Sequence, residues 1–455
     1  MLKRITEALL FLYIFSIPIM KVPRLPIFEQ KLQYSEIFFL LLIFIFFIGL
    51  LKNDVVLIKT KDLIINYIIL LISGFYILIT VSSSGYQLRS IIEFCGIFYL
   101  FISYFLFTQI IRDKNLWLRI IYFWCFLVVI VLLIGFIEYF SFSEFVSTHI
   151  SKYSLLKNVS PFLVDRMQST FRHPNMLASY LHISLIFLGT ALVNKNNNKS
   201  LNFLLAFLAF FIIFASFLTK SRIFAGTLLT LYLFLARFKN KFLYLFRIFV
   251  LVFLVIALAF AVFSVIWYVF PVKVNFNKGK IPDIAFNVEY FPYYFYQKAS
   301  IDMIRKHPFF GVGIGMFNKN LINYINLEGA EHSFQMFHPD YAFGQDPHSM
   351  QVKSRGVDPH STYLGWAAEI GLIGVGFIIL FLLSLILQVI NLYKKTHGED
   401  KLICWIFIAG LIGFLVNGLY IDILTFRHFW FFLVIISSFV NLQNKNILKY
   451  ENTIS

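Results

Sequence analysis

The chain has 455 residues, of which 59% are hydrophobic and only 14% charged, with a mean hydropathy of +0.79. Soluble domains carry roughly a quarter charged residues, so these values exclude a water-soluble protein. Lysine and arginine total 39 against 23 aspartate and glutamate, a formal charge of +16. In so apolar a chain this excess reads as loop charge that sets topology and attracts anionic lipid, and no nucleic-acid partner is expected.

At the start of the chain, Lys3 and Arg4 precede an apolar run from Ile5 to Met20. This imitates a secretory signal, but no small-x-small cleavage site follows, so a retained first span is expected. Apolar runs of about 17–25 residues suffice for a helix to cross about 30 Å of hydrocarbon. About twelve follow one another, centred near Phe11, Leu42, Leu71, Leu100, Val128, Ile186, Phe210, Leu229, Leu254, Ile378, Leu411 and Val434. They lack the alternation of barrel strands, and backbone groups in lipid must be paired internally. The fold class is therefore an all-α membrane protein: a polytopic bundle of about 12 transmembrane helices with one large, partly helical loop.

Basic residues orient the bundle. With the N-terminus inside, the inner connections hold Lys3, Arg4, Lys52, Lys59, Lys61, Arg112, Lys114, Arg119, Lys394, Lys395 and Lys401 among others, and the short outer ones hold fewer. Both termini are thus expected in the cytoplasm and the large loop outside it. Residues 1–270 are assigned to helices one to nine, 271–361 to the loop, and 362–455 to helices ten to twelve. Cys95, Cys125 and Cys404 all lie in apolar runs, so no disulfide framework holds the loop.

Within the loop, Tyr293 to Lys306 reads as a helix with Phe295, Ala299, Met303 and Ile304 near one face. His307-Pro308 ends it, Gly311-Val-Gly-Ile-Gly315 makes a turn, and a second short helix is expected from Met316 to Ile325. The tetrapeptide Asp-Pro-His-Ser occurs twice, at 346–349 and 358–361.

The residue types that carry chemistry gather at the outer face. His360 stands at the mouth of the tenth span, where Asp358-Pro359 holds the backbone extended and Ser361-Thr362 can cap the next helix. An imidazole there can take a proton from a hydroxyl near neutral pH, or merely anchor the interface. His348, in the duplicate tetrapeptide, is the weaker candidate. Arg222 follows Thr219-Lys220-Ser221 in a tight outer turn, and a guanidinium so near hydrocarbon either meets an anion or snorkels to lipid headgroups. Arg166 and Arg172 flank Ser169-Thr170 just before Pro174-Asn175 opens the sixth span, a corner that can offer charge and backbone donors together. The Gly311-x-Gly313-x-Gly315 run lacks the ending of a nucleotide loop and reads as a structural turn. His332, His338, His348 and His360, with Asp340, Asp346 and Asp358, match no common ligand spacing, so no metal is expected. Glu369 falls roughly 13 Å deeper than His360 along the helix and is expected to pair within the bundle.

Taken in order, four motifs resemble the outer-face signatures of the O-antigen ligase and polymerase superfamily. They are Arg166-x-x-Ser-Thr-Phe-x-His-Pro-Asn175, Thr219-Lys-Ser-Arg222, Ala299-x-x-x-Met-Ile-x-x-His-Pro-Phe-Phe-Gly-Val-Gly-Ile-Gly-Met-Phe317 and His360-Ser-Thr-Tyr-Leu-Gly-Trp-Ala-Ala-Glu-Ile-Gly-Leu-Ile-Gly374. The family usually has Asn where this chain has Ser361, and often Gly where it has Ser169. The resemblance implies glycosyl transfer from an undecaprenyl-pyrophosphate-linked donor on the periplasmic face of the bacterial inner membrane, with no cofactor. It maps the catalytic histidine to His360 and the pyrophosphate arginines to Arg166 and Arg222. From its position beside Arg166, Arg172 is expected to assist in binding the pyrophosphate, and Tyr363 and Ser221 are weaker candidates. The expected acceptor is the lipid A core, as for a ligase. The same motifs suit a polymerase passing the glycan to a lipid-linked repeat unit. A lipid-linked sugar flippase is the distant alternative, and it would require ionisable residues along a path through the bundle.

Overall fold

Every predicted span centre except Leu254, which lies outside the described residues, falls inside a helix of the computed structural model. The structure describes residues 2–20, 25–27, 30–54, 56–85, 87–149, 166–194, 199–237, 248, 250–252, 255, 292–324 and 361–454. Helix α1 (Leu2–Ser16) is followed by a small antiparallel hairpin, β1 (Leu25–Ile27) and β2 (Gln30–Leu32), with Leu25 opposite Leu32. An all-helical reading missed this hairpin. Pro23 and Pro26 prevent the helix from continuing and favour extended backbone that can pair.

The chain continues through α2 (Tyr34–Leu51), α3 (Lys61–Ser83), α4 (Leu88–Ile110), α5 (Lys114–His149), α6 (Pro174–Val193), α7 (Lys199–Leu218) and α8 (Phe224–Leu235). Beyond the loop helices α9 (Pro292–Lys306) and α10 (Phe317–Leu321) come α11 (Thr362–Lys395), α12 (Gly398–Asn417) and α13 (Arg427–Ile454). Among the described residues, six helices are long and apolar enough to cross a membrane: α2, α3, α4, α5, α6 and α11. Two shorter apolar stretches, Phe203–Leu218 and Phe224–Leu235, accompany them. Of about twelve expected spans, six among the described residues meet the length and composition such a crossing needs.

Burial ranks the helices. The α6 span is 83% buried and that of α2 only 28%, so α6 runs through the interior while α2 lies at the rim. In α13, Phe429 to Ile436 are each at most 2% exposed, as expected of a helix that is apolar all round. Trp124 and Phe431 stack there at 5.8 Å, and Phe381 and Trp430 also at 5.8 Å.

Contacts sort the helix ends into two sets. At one end Arg119 pairs with Glu7 at 2.8 Å, Lys114 with Asp400 at 3.6 Å, and Lys3 with Asp113 at 3.8 Å. These join residues of the predicted inner connections. At the other end Met20 N donates to Thr170 O (3.1 Å), Met167 N to Leu218 O (3.1 Å) and Thr362 N to Gly418 O (2.8 Å). The end of α1, the approach to α6, the end of α7, the start of α11 and the end of α12 therefore meet, as alternating topology requires.

The loop helices follow the predicted pattern closely. Tyr296, Ala299 and Met303 of α9 pack on Phe317, Leu321 and Ala368 as a small second core, with Ile304 against its edge. The side chain of Phe295 lies outside the described residues. The tenth predicted span differs: α11 breaks at Gly371, where φ is +72° and ψ 174°. Ahead of the break, the carbonyls of Ala368 and Glu369 accept from Val312 N (2.8 Å) and Gly313 N (2.9 Å), while Leu372 N donates to Pro308 O (2.8 Å). The loop turn thus supplies the hydrogen bonds that helix continuation would have made. A Cβ on Gly371 would sit 1.7 Å from Phe309 O, and one on Gly311 2.4 Å from the Glu369 backbone. Only glycine permits both the positive φ and the close approach. The Glu369 carboxylate accepts from Gly315 N (3.0 Å) and Phe317 N (3.1 Å), so it holds the turn and the start of α10, the pairing within the bundle expected of it.

Candidate functional site

Arg166 is positioned by the elements on either side of it. Its Nε donates to Thr219 O at 2.8 Å and its Nη2 to Asn175 Oδ1 at 3.1 Å. Asn175 Oδ1 also accepts from Ser221 Oγ at 2.8 Å. The two motifs at 166–175 and 219–222 therefore form one unit across the first turn of α6 and the α7–α8 turn. That α6 turn starts with His173, whose Nδ1 accepts from Asn175 N at 3.2 Å, and Pro174 follows where the missing N–H costs nothing. The α7–α8 turn is held by its own hydroxyls: Thr219 Oγ1 accepts from Ser221 N and Ser221 Oγ from Ile223 N, each at 3.3 Å. Between them Lys220 takes a left-handed φ of +48°, rare for a side chain with a Cβ. Ser169 does likewise at φ +53°, with its hydroxyl on Val131 O at 2.7 Å, which explains why glycine suits that family position.

Arg222 is exposed at the end of the turn, facing the connection between α12 and α13. Burial pushes the Tyr420 phenol above its ordinary pKa, and nearby Arg222 draws it partly back, so the two are electrostatic neighbours. The start of α11 is bolted to that same connection. Thr362 N donates to Gly418 O (2.8 Å), Thr362 Oγ1 to Ile421 O (2.7 Å), and Ile423 N to Thr362 Oγ1 (3.0 Å). Trp366 Nε1 donates to Asp422 Oδ1 at 3.0 Å, and Leu424 N to the same oxygen at 3.1 Å. Ser361 Oγ accepts from Leu364 N at 3.4 Å and caps α11, a task the family's asparagine would also perform.

The fold thus joins Arg166 and Ser221 through Asn175, and sets Arg222 near Tyr420 of the connection to which the start of α11 is also bonded. His360, the residue before the Ser361 cap, and His348 lie outside the described residues. Tyr363 donates its hydroxyl to Leu415 O at 2.7 Å and so clamps α11 to α12. Arg172 Nε donates to Met20 O at 3.1 Å, fastening the segment after α1, while its buried Nη2 has no hydrogen-bond partner among the described residues. The residues that sequence reasoning missed are Asn417, Tyr420 and Asp422. Their signal was a few polar groups in a short turn between two apolar runs, which nothing local distinguishes from a plain connector.

A small apolar crevice of about 20 Å³, little more than one water, lies beside Thr362, Tyr363 and Trp366 and is lined by Ile378, Leu382, Leu415 and Leu424. Among the described residues no group of three or more His, Cys, Asp or Glu side chains is placed to hold a metal, and the histidine set at 332–360 lies outside them.

Residues 205–379 match the family model described as O-Antigen ligase. The matched stretch includes the Thr219–Arg222 turn, the α9–α10 segment and the break in α11. The match supports the O-antigen ligase and polymerase superfamily that the four motifs resemble. No curated protein matches the chain.

Proposed function

We propose that this chain is an O-antigen ligase-like glycosyltransferase of the bacterial inner membrane. It moves a glycan from undecaprenyl pyrophosphate to a sugar hydroxyl of the lipid A core on the periplasmic face. The observation that carries this reading is the union of the two arginine turns through Asn175, beside a connection that binds the start of α11. Arg166 and Arg222 grip the diphosphate in this reading, because a guanidinium fork matches phosphate oxygens and suits a headgroup at the edge of hydrocarbon. The prenyl tail lies between helices on the lipid side in this reading.

The acceptor hydroxyl enters beneath the loop helices. Its oxygen attacks the anomeric carbon from the side opposite the diphosphate, and the carbon–oxygen bond to the diphosphate breaks with inversion. The departing electron pair stays on the diphosphate oxygen, where preorganised arginines are each worth about 10²–10³ in rate. His360 receives the hydroxyl proton, adding roughly 10²-fold or more. Arg172, tied to Met20 through its Nε, assists Arg166 and Arg222 in holding the diphosphate. A deletion strain tests the reading. Loss of a ligase leaves long lipid-linked chains and unsubstituted core, whereas core capped by a single repeat unit would identify a polymerase.

A further inference from the structure

Asn417 ends α12 with a fully buried side chain that bonds in two directions. Its Oδ1 accepts from Gly226 N at 3.1 Å, in the first turn of α8 directly after Arg222. Its Nδ2 meets His182 Nδ1 at 3.0 Å, which leaves His182 Nε2 to donate to Thr230 Oγ1 at 2.7 Å; that hydroxyl donates to Ala409 O at 3.2 Å. The chain of bonds locks α6, α8 and α12 together beneath the arginine turn. Asn417 O meanwhile accepts from Tyr420 N (3.0 Å) and Ile421 N (3.2 Å), shaping the connection that holds Thr362.

The packing leaves no slack. A Cβ on Gly226 would lie 2.2 Å from Asn417 Oδ1, and one on Gly413 2.1 Å from Thr230 Oγ1. The first N–H groups of a helix have no partner within it, so a side chain from another helix that accepts one fixes where that helix begins. Here the beginning of α8 is the turn that carries Arg222.

We infer that Asn417 is a positioning residue: its amide registers the Arg222 turn against the Gly418–Phe426 connection, and so sets the geometry of the anion site. This rests on the proposed role of Arg222. The main-chain bonds of Asn417 do not depend on side-chain identity, so the amide alone can be varied.

The test uses the purified full chain in lipid nanodiscs, with undecaprenyl pyrophosphate as the binding probe. Asn417→Ala is expected to weaken binding roughly tenfold, the scale of a lost buried cap. Arg222→Ala also weakens it, and the double variant should bind no worse than Arg222→Ala alone, because Asn417 acts through that arginine. Asn417→Asp keeps the volume and the oxygen that faces Gly226 but loses the N–H that donates to His182, so it should bind better than Asn417→Ala and less well than the unaltered protein. Additive losses in the double variant would overturn the inference, since a general structural defect adds to the loss of Arg222. So would unchanged binding in Asn417→Ala, or an aspartate variant that folds but binds no better than alanine. Unchanged binding in Arg222→Ala would instead refute the arginine reading beneath it.

Discussion

Replacing Gly371 with alanine should detach the loop turn from the membrane bundle. Alanine at φ +72° and ψ 174°, a region essentially reserved for glycine, costs about 1–3 kcal/mol. Its Cβ would fall 1.7 Å from Phe309 O, which is backbone and has nowhere to rotate, so the turn must move. Movement breaks the bonds Val312 N to Ala368 O, Gly313 N to Glu369 O and Leu372 N to Pro308 O. At about 0.5–1.5 kcal/mol for each of the three bonds, and with the backbone strain added, the combined loss is roughly 2.5–7.5 kcal/mol. The burden falls first on the turn, because α9 and α10 pack with Ala368 as a small second core, while Ile314 and Ile370 carry the disturbance only to the edge of the main core. Limited proteolysis of Gly371→Ala should therefore cut near His307–Phe317 while the remaining helices stay resistant, and thermal unfolding should begin earlier. An alanine variant with unaltered protease resistance and melting would refute the account of the α11 break.

Other substitutions probe the site. Arg222→Lys keeps the charge but loses the fork, and transfer activity should fall roughly tenfold to 10²-fold; full activity would count against a bidentate grip. His360→Ala should lower turnover about 10²-fold or more while donor binding holds, as separate binding and single-turnover measurements would reveal. Ser361→Ala removes the α11 cap and should cost about 1 kcal/mol of stability by denaturant or thermal unfolding, whereas Ser361→Asn should be close to neutral.

Much of this arrangement could be read from the chain because it depends on local pattern. Apolar run length located the helices, His307-Pro308 ended α9, and Ser361 was recognised as a cap. The rest depends on partners distant in sequence. Gly371 sits in an apolar run that reads as continuous helix, and its break is made by Pro308 and Val312 from another element. Arg172 looked equivalent to Arg166 from its neighbours, yet one meets Met20 and the other Thr219 and Asn175. Asn417, Tyr420 and Asp422 gained importance only once α12 was laid against α8 and α11. The β1–β2 hairpin was hidden for a similar reason, since three-residue strands carry too short a pattern to read.

The most direct measurement is a cryo-electron microscopy structure of the full chain in nanodiscs with undecaprenyl pyrophosphate bound. The account predicts diphosphate oxygens within hydrogen-bonding distance of both Arg166 and Arg222, beside the start of α11. A headgroup bound elsewhere, or touching neither guanidinium, would contradict it.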